Sequence, residues 1–119
     1  MDALVFAGLL AVFDHGQFCA AAKEVAREAN ADVGKPVDPH TRSAGMRVDC
    51  AARSVELELR VDLPFSAIPD NWRDRTTLRW NDDYCSDPAW RQAITHHWKV
   101  TLLVASSAGE HFAVSADCH

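Results

Sequence analysis

The residues best suited to metal or acid–base chemistry lie near the end of the chain. His96 and His97 are adjacent, and Asp117 and His119 lie at the C-terminus. If residues 98–105 and 111–118 form a hairpin, position 97 comes opposite about position 118, which gathers these side chains at one end of a sheet. Imidazole and carboxylate groups can together bind zinc or a similar ion. A small metal-binding protein or hydrolase centred on this cluster is therefore one functional hypothesis.

The same histidines have a structural explanation. His96 and His97 can end a helix, where the helix dipole favours imidazolium. Their spacing matches no fixed ligand motif, and the sequence contains neither a Gly-rich phosphate loop nor a nucleophile elbow. We therefore predict no catalytic residue, no resident metal and no cofactor, and we keep the cluster as the alternative.

Tryptophan and arginine are concentrated between positions 72 and 98, where all four tryptophans of the chain lie. Both residue types dominate the energetics of protein interfaces, and tryptophan also stacks on small ligands. Alternatively, the tryptophans cover one face of the sheet as part of the core. The predicted binding residues are Trp72, Arg73, Arg75, Arg79, Trp80, Trp90 and Arg91.

The four cysteines form no C-x-x-C pair, the spacing typical of zinc knuckles and thioredoxin-like sites. An even number of cysteines suits two disulfides, which form in oxidising compartments. Four cysteines allow three connectivities, and the sequence alone does not choose among them. Because they fall on sides of neighbouring elements that can face each other, we favour Cys19–Cys50 and Cys85–Cys118.

A first helix is predicted over residues 15–29. Asp14 can cap it, and Phe18, Ala22, Val25 and Ala29 form one apolar stripe with helical spacing. One or two further short helices are predicted between residues 69 and 96. In the second of these, Pro88 lies in the first turn behind Ser86 or Asp87 as the cap.

Four strands are predicted, in two hairpins. Residues 55–63, VELELRVDL, alternate strictly between apolar and polar side chains, which indicates a strand with one face in the core and one in water. Residues 41–50 precede it. Residues 98–105 and 111–118 are joined by the five-residue loop SSAGE. The predicted class is α+β: the first helix packed on a four-stranded antiparallel sheet, with one or two short helices between the hairpins.

The length of 119 residues suits a single domain over residues 1–119. The apolar stretch within residues 1–13 is too short for a transmembrane helix, and it suits either the tail of an export signal or a short packed segment. A net charge of −5 without a basic block disfavours nucleic acid and anionic membranes as partners.

Several short motifs resemble a group of small exported bacterial proteins without an assigned biochemical role. The matching residues are Ala22-Lys23-Glu24-Val25, Asn30, Pro36-Val37-Asp38, Thr41, Cys85-Ser86-Asp87-Pro88, Arg91 and Asp117-Cys118. The resemblance implies export and a disulfide between Cys85 and Cys118. We therefore expect a periplasmic or secreted, non-catalytic binding protein, such as an inhibitor or assembly module, that recognises an unknown protein or small ligand through its Trp/Arg-rich segment.

Overall fold

A computed structural model describes residues 13–118 of the chain. The predicted apolar segment at the N-terminus lies outside the described residues, except for Phe13. Within the described part the elements follow one another as α1 (His15–Asn30), β1 (Pro36–Asp38), β2 (Thr41–Asp49), β3 (Ser54–Val61), a short 3-10 helix (Phe65–Ala67), α2 (Trp72–Cys85), α3 (Pro88–Thr95), β4 (Lys99–Ser106) and β5 (His111–Ser115).

Helix α1 forms where the sequence predicts it, and it is one residue longer. The Asp14 carboxylate accepts a hydrogen bond of 2.8 Å from the backbone N–H of Gln17 and so caps the first turn. The buried face consists of Phe18, Cys19, Ala22, Val25 and Ala26. Small alanine side chains on this face allow the helix to lie close against β2.

The sheet differs from the predicted one. In the described part of the chain it contains five strands in the order β1-β2-β3-β4-β5, and β3 and β4 are parallel. The expectation of four strands, all antiparallel, was therefore wrong. Both predicted hairpins are present, but α2 and α3 carry the chain from the end of β3 back to its beginning. Strand β4 consequently runs in the same direction as β3, as expected for two neighbouring strands joined by a helical crossover.

Strand β1 lies between the first predicted helix and the first predicted strand, where the sequence predicts no helix or strand. It is only three residues long, begins with Pro36, and pairs with β2 through an irregular register. A proline is tolerated on an edge strand because no ladder bond needs its missing N–H. Three residues are too few to show an alternating pattern, and the strand forms because it pairs with β2. The sequence pattern therefore does not predict it.

A bulge in β2 fastens the end of α1 to the sheet. Gly45 has a φ of 116°, and a Cβ there would lie 3.0 Å from the Asn30 side-chain oxygen. The Asn30 amide donates to the Met46 carbonyl at 3.0 Å and accepts from the Met46 N–H at 2.7 Å. Glycine is needed here for both its backbone conformation and the close approach.

The helices and the inner face of the sheet enclose one core, which includes Phe18, Trp90, Val55, Val100 and Leu102. The outer face of the sheet carries polar side chains. There Arg47 pairs with Glu56 and lies 3.7 Å from Glu58, which also pairs with Arg60 at 3.1 Å. The predicted half-exposed sheet is therefore present.

Both predicted disulfides are present. Cys19 on α1 is bonded to Cys50 at the end of β2, with a Cα–Cα distance of 5.8 Å. Cys85 at the end of α2 is bonded to Cys118, with a Cα–Cα distance of 5.4 Å. One bridge thus joins the first helix to the sheet, and the other joins the helical crossover to the segment that follows β5.

Candidate functional site

The tryptophans of the Trp/Arg-rich segment belong to the core. Trp72, Trp80, Trp90 and Trp98 are all buried, and Trp90 is fully enclosed. The sequence allowed these tryptophans to form either an interface or part of the core, and in the structure they are part of the core. Trp72, Trp80 and Trp90, predicted as binding residues, are consequently not available on the surface.

An aromatic network connects the helices with each other and with the sheet. The Trp90 ring meets Phe18 edge-on at a centroid distance of 5.2 Å, and it meets Tyr84 in the same way at 4.9 Å. At the other end of α2, Trp72 lies 5.1 Å from Phe112 of β5. Edge-to-face pairs of this kind add to the stabilisation that comes from burying the rings.

The indole N–H groups differ in their hydrogen bonding. Trp80 donates to the Val100 carbonyl at 3.1 Å, which ties α2 to β4. Within residues 13–118, the indole nitrogens of Trp72, Trp90 and Trp98 have no acceptor in reach. Leaving a buried donor unpaired costs free energy, so the packing of these rings must outweigh that cost.

Tyr84 is buried among the same rings, next to Trp80 and Trp90. Burial raises the pKa of its phenol far above the ordinary value of 10.0, and the nearby Asp83 carboxylate adds to the shift. Because the neutral phenol is the form that suits the core, Tyr84 stays protonated near neutral pH and packs as part of the core.

We expect the stability of the protein to fall as the pH rises above about 10. There the unfolded chain releases the Tyr84 proton while the folded chain keeps it, so the free energy of unfolding falls by about 1.4 kcal/mol per pH unit. Urea titrations from pH 8 upward measure this slope. The variant Tyr84→Phe should lose that component; an identical slope in both proteins would contradict the assignment. Because the chain has one tyrosine, its phenolate absorbance reports the same group directly.

Two of the four predicted arginines have structural contacts. The Arg73 guanidinium lies 4.8 Å from the ring centre of Trp72 and 5.3 Å from that of Phe65, so it covers the end of the core. Arg91 donates a hydrogen bond of 3.3 Å to the Cys85 carbonyl, across the junction of α2 and α3. These two side chains are exposed, but each also stabilises the fold.

The remaining two arginines flank an exposed leucine on α2. Leu78 is 69% exposed, the highest value among the large apolar side chains that are exposed in the described part of the chain. Arg75 and Arg79 are also exposed, and neither guanidinium forms an ion pair within residues 13–118. We call these three residues the Arg–Leu face. Arg75 lies three positions before Leu78 and four positions before Arg79, so the three side chains lie on one side of the helix.

Leu78 is not among the binding residues predicted from the sequence, although its position on the helix carries a signal. The buried residues of α2 are Trp72, Trp80 and Tyr84, which share one stripe. Leu78 lies two positions before Trp80, on the opposite side of the helix. An apolar residue outside the buried stripe of a helix is therefore the pattern that identifies it.

The histidine cluster does not assemble within the described residues. His96 ends α3, where its ring stacks on Phe13 at 4.6 Å and its carbonyl accepts from Arg53. The ladder between β4 and β5 stops at Thr101–Ser115, so it does not extend to His97. Asp117 is bonded through its N–H to the Asn81 side chain, and His119 lies outside the described residues. Residues 13–118 contain no group of three potential metal ligands.

An open cleft of about 710 Å³ lies beside β2, between Lys23 of α1 and the outer face of the sheet. Arg47, Asp49 and Glu56 line it. Arg47 and Glu56 pair with each other, and Asp49 accepts from the N–H of Ala52 in the following turn. Its charged groups other than Lys23 thus have partners among neighbouring residues.

Comparison with known proteins identifies the fold. No protein-family model matches the chain, and no curated protein matches its sequence. The crystal structure of a "putative secreted protein" from Pseudomonas aeruginosa is similar, with a TM-score of 0.65 and 15% identity over 90% of this chain and 95% of that chain. Within the described part, no helix has the length and apolar character needed to cross a bilayer. The chain therefore has the same α+β fold as that protein. Its own structure contains two disulfides.

Proposed function

We propose that this chain is an exported, non-catalytic binding protein that contacts a protein partner through the Arg–Leu face of α2. The observation that carries the proposal is the exposure of Leu78 between two arginines that have no ion-pair partner in the described structure. The structural neighbour, described as a "putative secreted protein", and the two disulfides support export.

The two arginines of the Arg–Leu face repel each other on the surface of α2. Arg75 and Arg79 are four positions apart, and like charges at this spacing destabilise a helix by roughly 0.2–0.5 kcal/mol. Leu78 gains nothing from burial, because it remains in water. The contacts of the folded chain therefore do not explain these residues, whereas a binding role does.

The chemistry of this surface defines the partner. Arginine forms charge-assisted and often bidentate hydrogen bonds with carboxylates, and an exposed leucine is desolvated by an apolar contact. We therefore infer a partner surface with an apolar contact for Leu78 and, next to it, carboxylates that face the two arginines. Tryptophan makes no direct contribution, in contrast to the interface that the sequence predicted.

The double variant Arg75→Glu/Arg79→Glu is expected to abolish partner binding while leaving the melting temperature close to that of the wild type, because both side chains are exposed. The matched control is Lys23→Glu, an exposed residue of α1. The tagged proteins are compared by quantitative mass spectrometry of what they retain from a periplasmic or secreted fraction of the source organism.

The proposal requires one protein that the wild type and Lys23→Glu retain alike and that the double variant loses. Leu78→Asp should have the same effect as the double variant. Equal retention on all four proteins would exclude the Arg–Leu face as the binding surface. If none of the four retains a protein specifically, the binding function itself is wrong.

A further inference from the structure

Within residues 13–118, strand β5 forms one edge of the sheet. Two hydrogen bonds fix the direction of its peptide groups: the Ser106 N–H donates to the Glu110 carbonyl at 2.9 Å, and the Ala116 N–H donates to the Val100 carbonyl at 2.8 Å. Glu110 and Ala116 therefore face β4, as do the even-numbered residues between them, because the direction alternates along a strand. The peptide groups of His111, Ala113 and Ser115 consequently point away from the sheet.

The opposite edge is closed by the fold itself. There β1 has only three residues and begins with Pro36. Beyond it, the Asn30 side chain occupies both the N–H and the carbonyl of Met46. Short strands, proline and covering side chains are common means of preventing edge pairing. Strand β5 carries none of them: its residues are HFAVS, without proline or lysine.

We propose that β5 pairs antiparallel with β5 of a second copy of this chain, around a two-fold axis at Ala113. In this register Ala113 faces the partner subunit's Ala113, and His111 faces the partner subunit's Ser115. His111, Ala113 and Ser115 are the residues whose peptide groups point outward. Each can form two backbone hydrogen bonds with its counterpart, so the pairing forms about six. The same strand serves both subunits, as a closed two-fold interface requires.

The side chains fit this register on both faces of the sheet. On the outer face, Ala113 is exposed and small, so its copy can approach without a clash. On the inner face, Phe112 comes opposite the partner subunit's Val114. Both residues are half-buried at the margin of the core, and the pairing buries their remaining apolar surface. Aromatic and β-branched residues are favourable cross-strand neighbours.

The charges of the paired strands do not oppose a second copy, although the chain carries a net charge of −5. The register places Glu110 opposite the partner subunit's Ala116, and Asp117 opposite the partner subunit's Gly109. No two carboxylates of the paired strands therefore face each other. The Glu110 carboxylate is in addition held within its own subunit, since it accepts from the Phe65 N–H and the Ser106 hydroxyl, each at 2.9 Å.

The test compares Ala113→Lys with Ala108→Lys by sedimentation equilibrium over a wide range of concentration. Both changes add the same charge at exposed positions, but only Ala113 lies on the two-fold axis, where two lysines would repel each other. Interfaces made by one strand pair are small, so we expect a dimer that dissociates on dilution. Wild type and Ala108→Lys should dimerise with the same dissociation constant, and Ala113→Lys should remain monomeric.

Amide hydrogen exchange locates the contact. In concentrated wild-type protein the amides of His111, Ala113 and Ser115 should exchange more slowly than in dilute protein, and this difference should be absent in Ala113→Lys. A wild type that is monomeric at every concentration would overturn the proposal, as would dimerisation of Ala113→Lys or loss of the dimer in both variants. Protection of these amides in the dilute monomer would also overturn it, because the edge would then be occupied within one chain.

Discussion

Replacing Trp90 with alanine is expected to lower the free energy of unfolding by about 3–5 kcal/mol. Trp90 has no exposed surface, and its ring contacts Phe18 of α1 and Tyr84 of α2. The substitution therefore removes buried apolar area and leaves a cavity among α1, α2 and α3. The cavity can close only if these helices shift. The indole N–H has no acceptor in the described structure, so the substitution breaks no hydrogen bond whose loss would add to this destabilisation.

The matched control for Trp90→Ala is Leu78→Ala, which changes an exposed side chain of the same helical crossover. Its free energy of unfolding should stay within about 0.5 kcal/mol of the wild-type value. Urea denaturation followed by circular dichroism measures both proteins. If Trp90→Ala is as stable as the wild type, Trp90 does not belong to the core, and the alternative of a tryptophan-based binding surface becomes the better explanation.

The elements that the sequence predicts well are those with a strong local pattern. Helix α1 has an apolar stripe and a capping aspartate, and β3 alternates over its whole length. Asp87 caps α3 by accepting from the Ala89 N–H at 2.9 Å, with Pro88 in the first turn as expected. In each case a few neighbouring residues determine the structure, so no tertiary information is needed.

The arrangement of the strands could not be predicted in the same way. The parallel pairing of β3 with β4 joins residues 45 positions apart, and the apolar pattern of either strand fits a parallel or an antiparallel neighbour. The helical crossover between them was predicted, but its consequence for strand direction was not drawn. Strand β1 depends on pairing with β2 and has no pattern of its own.

The candidate site shows the same division. The sequence singled out the segment of residues 72–98, which contains the proposed Arg–Leu face. It did not separate residues that are enriched in both cores and interfaces, because burial depends on which side of α2 each one occupies. The spacing of Trp72, Trp80 and Tyr84 defines the buried side, and the exposed arginines follow only after that stripe is known.

Removing the Cys85–Cys118 disulfide, through Cys85→Ala/Cys118→Ala, is expected to lower the free energy of unfolding by about 3–4 kcal/mol. The bridge closes a loop with a sequence separation of 33 residues, and the chain entropy that it removes from the unfolded state corresponds to that value. This mechanism differs from that of Trp90→Ala, since the disulfide acts mainly on the unfolded chain. The denaturant m-value should consequently rise in the double variant, because its unfolded state exposes more surface.

The control for the disulfide is Ser86→Ala, an exposed position next to Cys85, which should change neither the stability nor the m-value. A thiol titration of the native, unreduced protein should find no free cysteine, since all four are bonded in the structure. Free thiols, or a double variant as stable as the wild type, would contradict the disulfide and remove the main physical argument for export. A loss of stability with an unchanged m-value would instead place the contribution in the packing between the end of α2 and the segment after β5. The m-value therefore decides whether this bridge works by restricting the unfolded chain or by holding the folded one together.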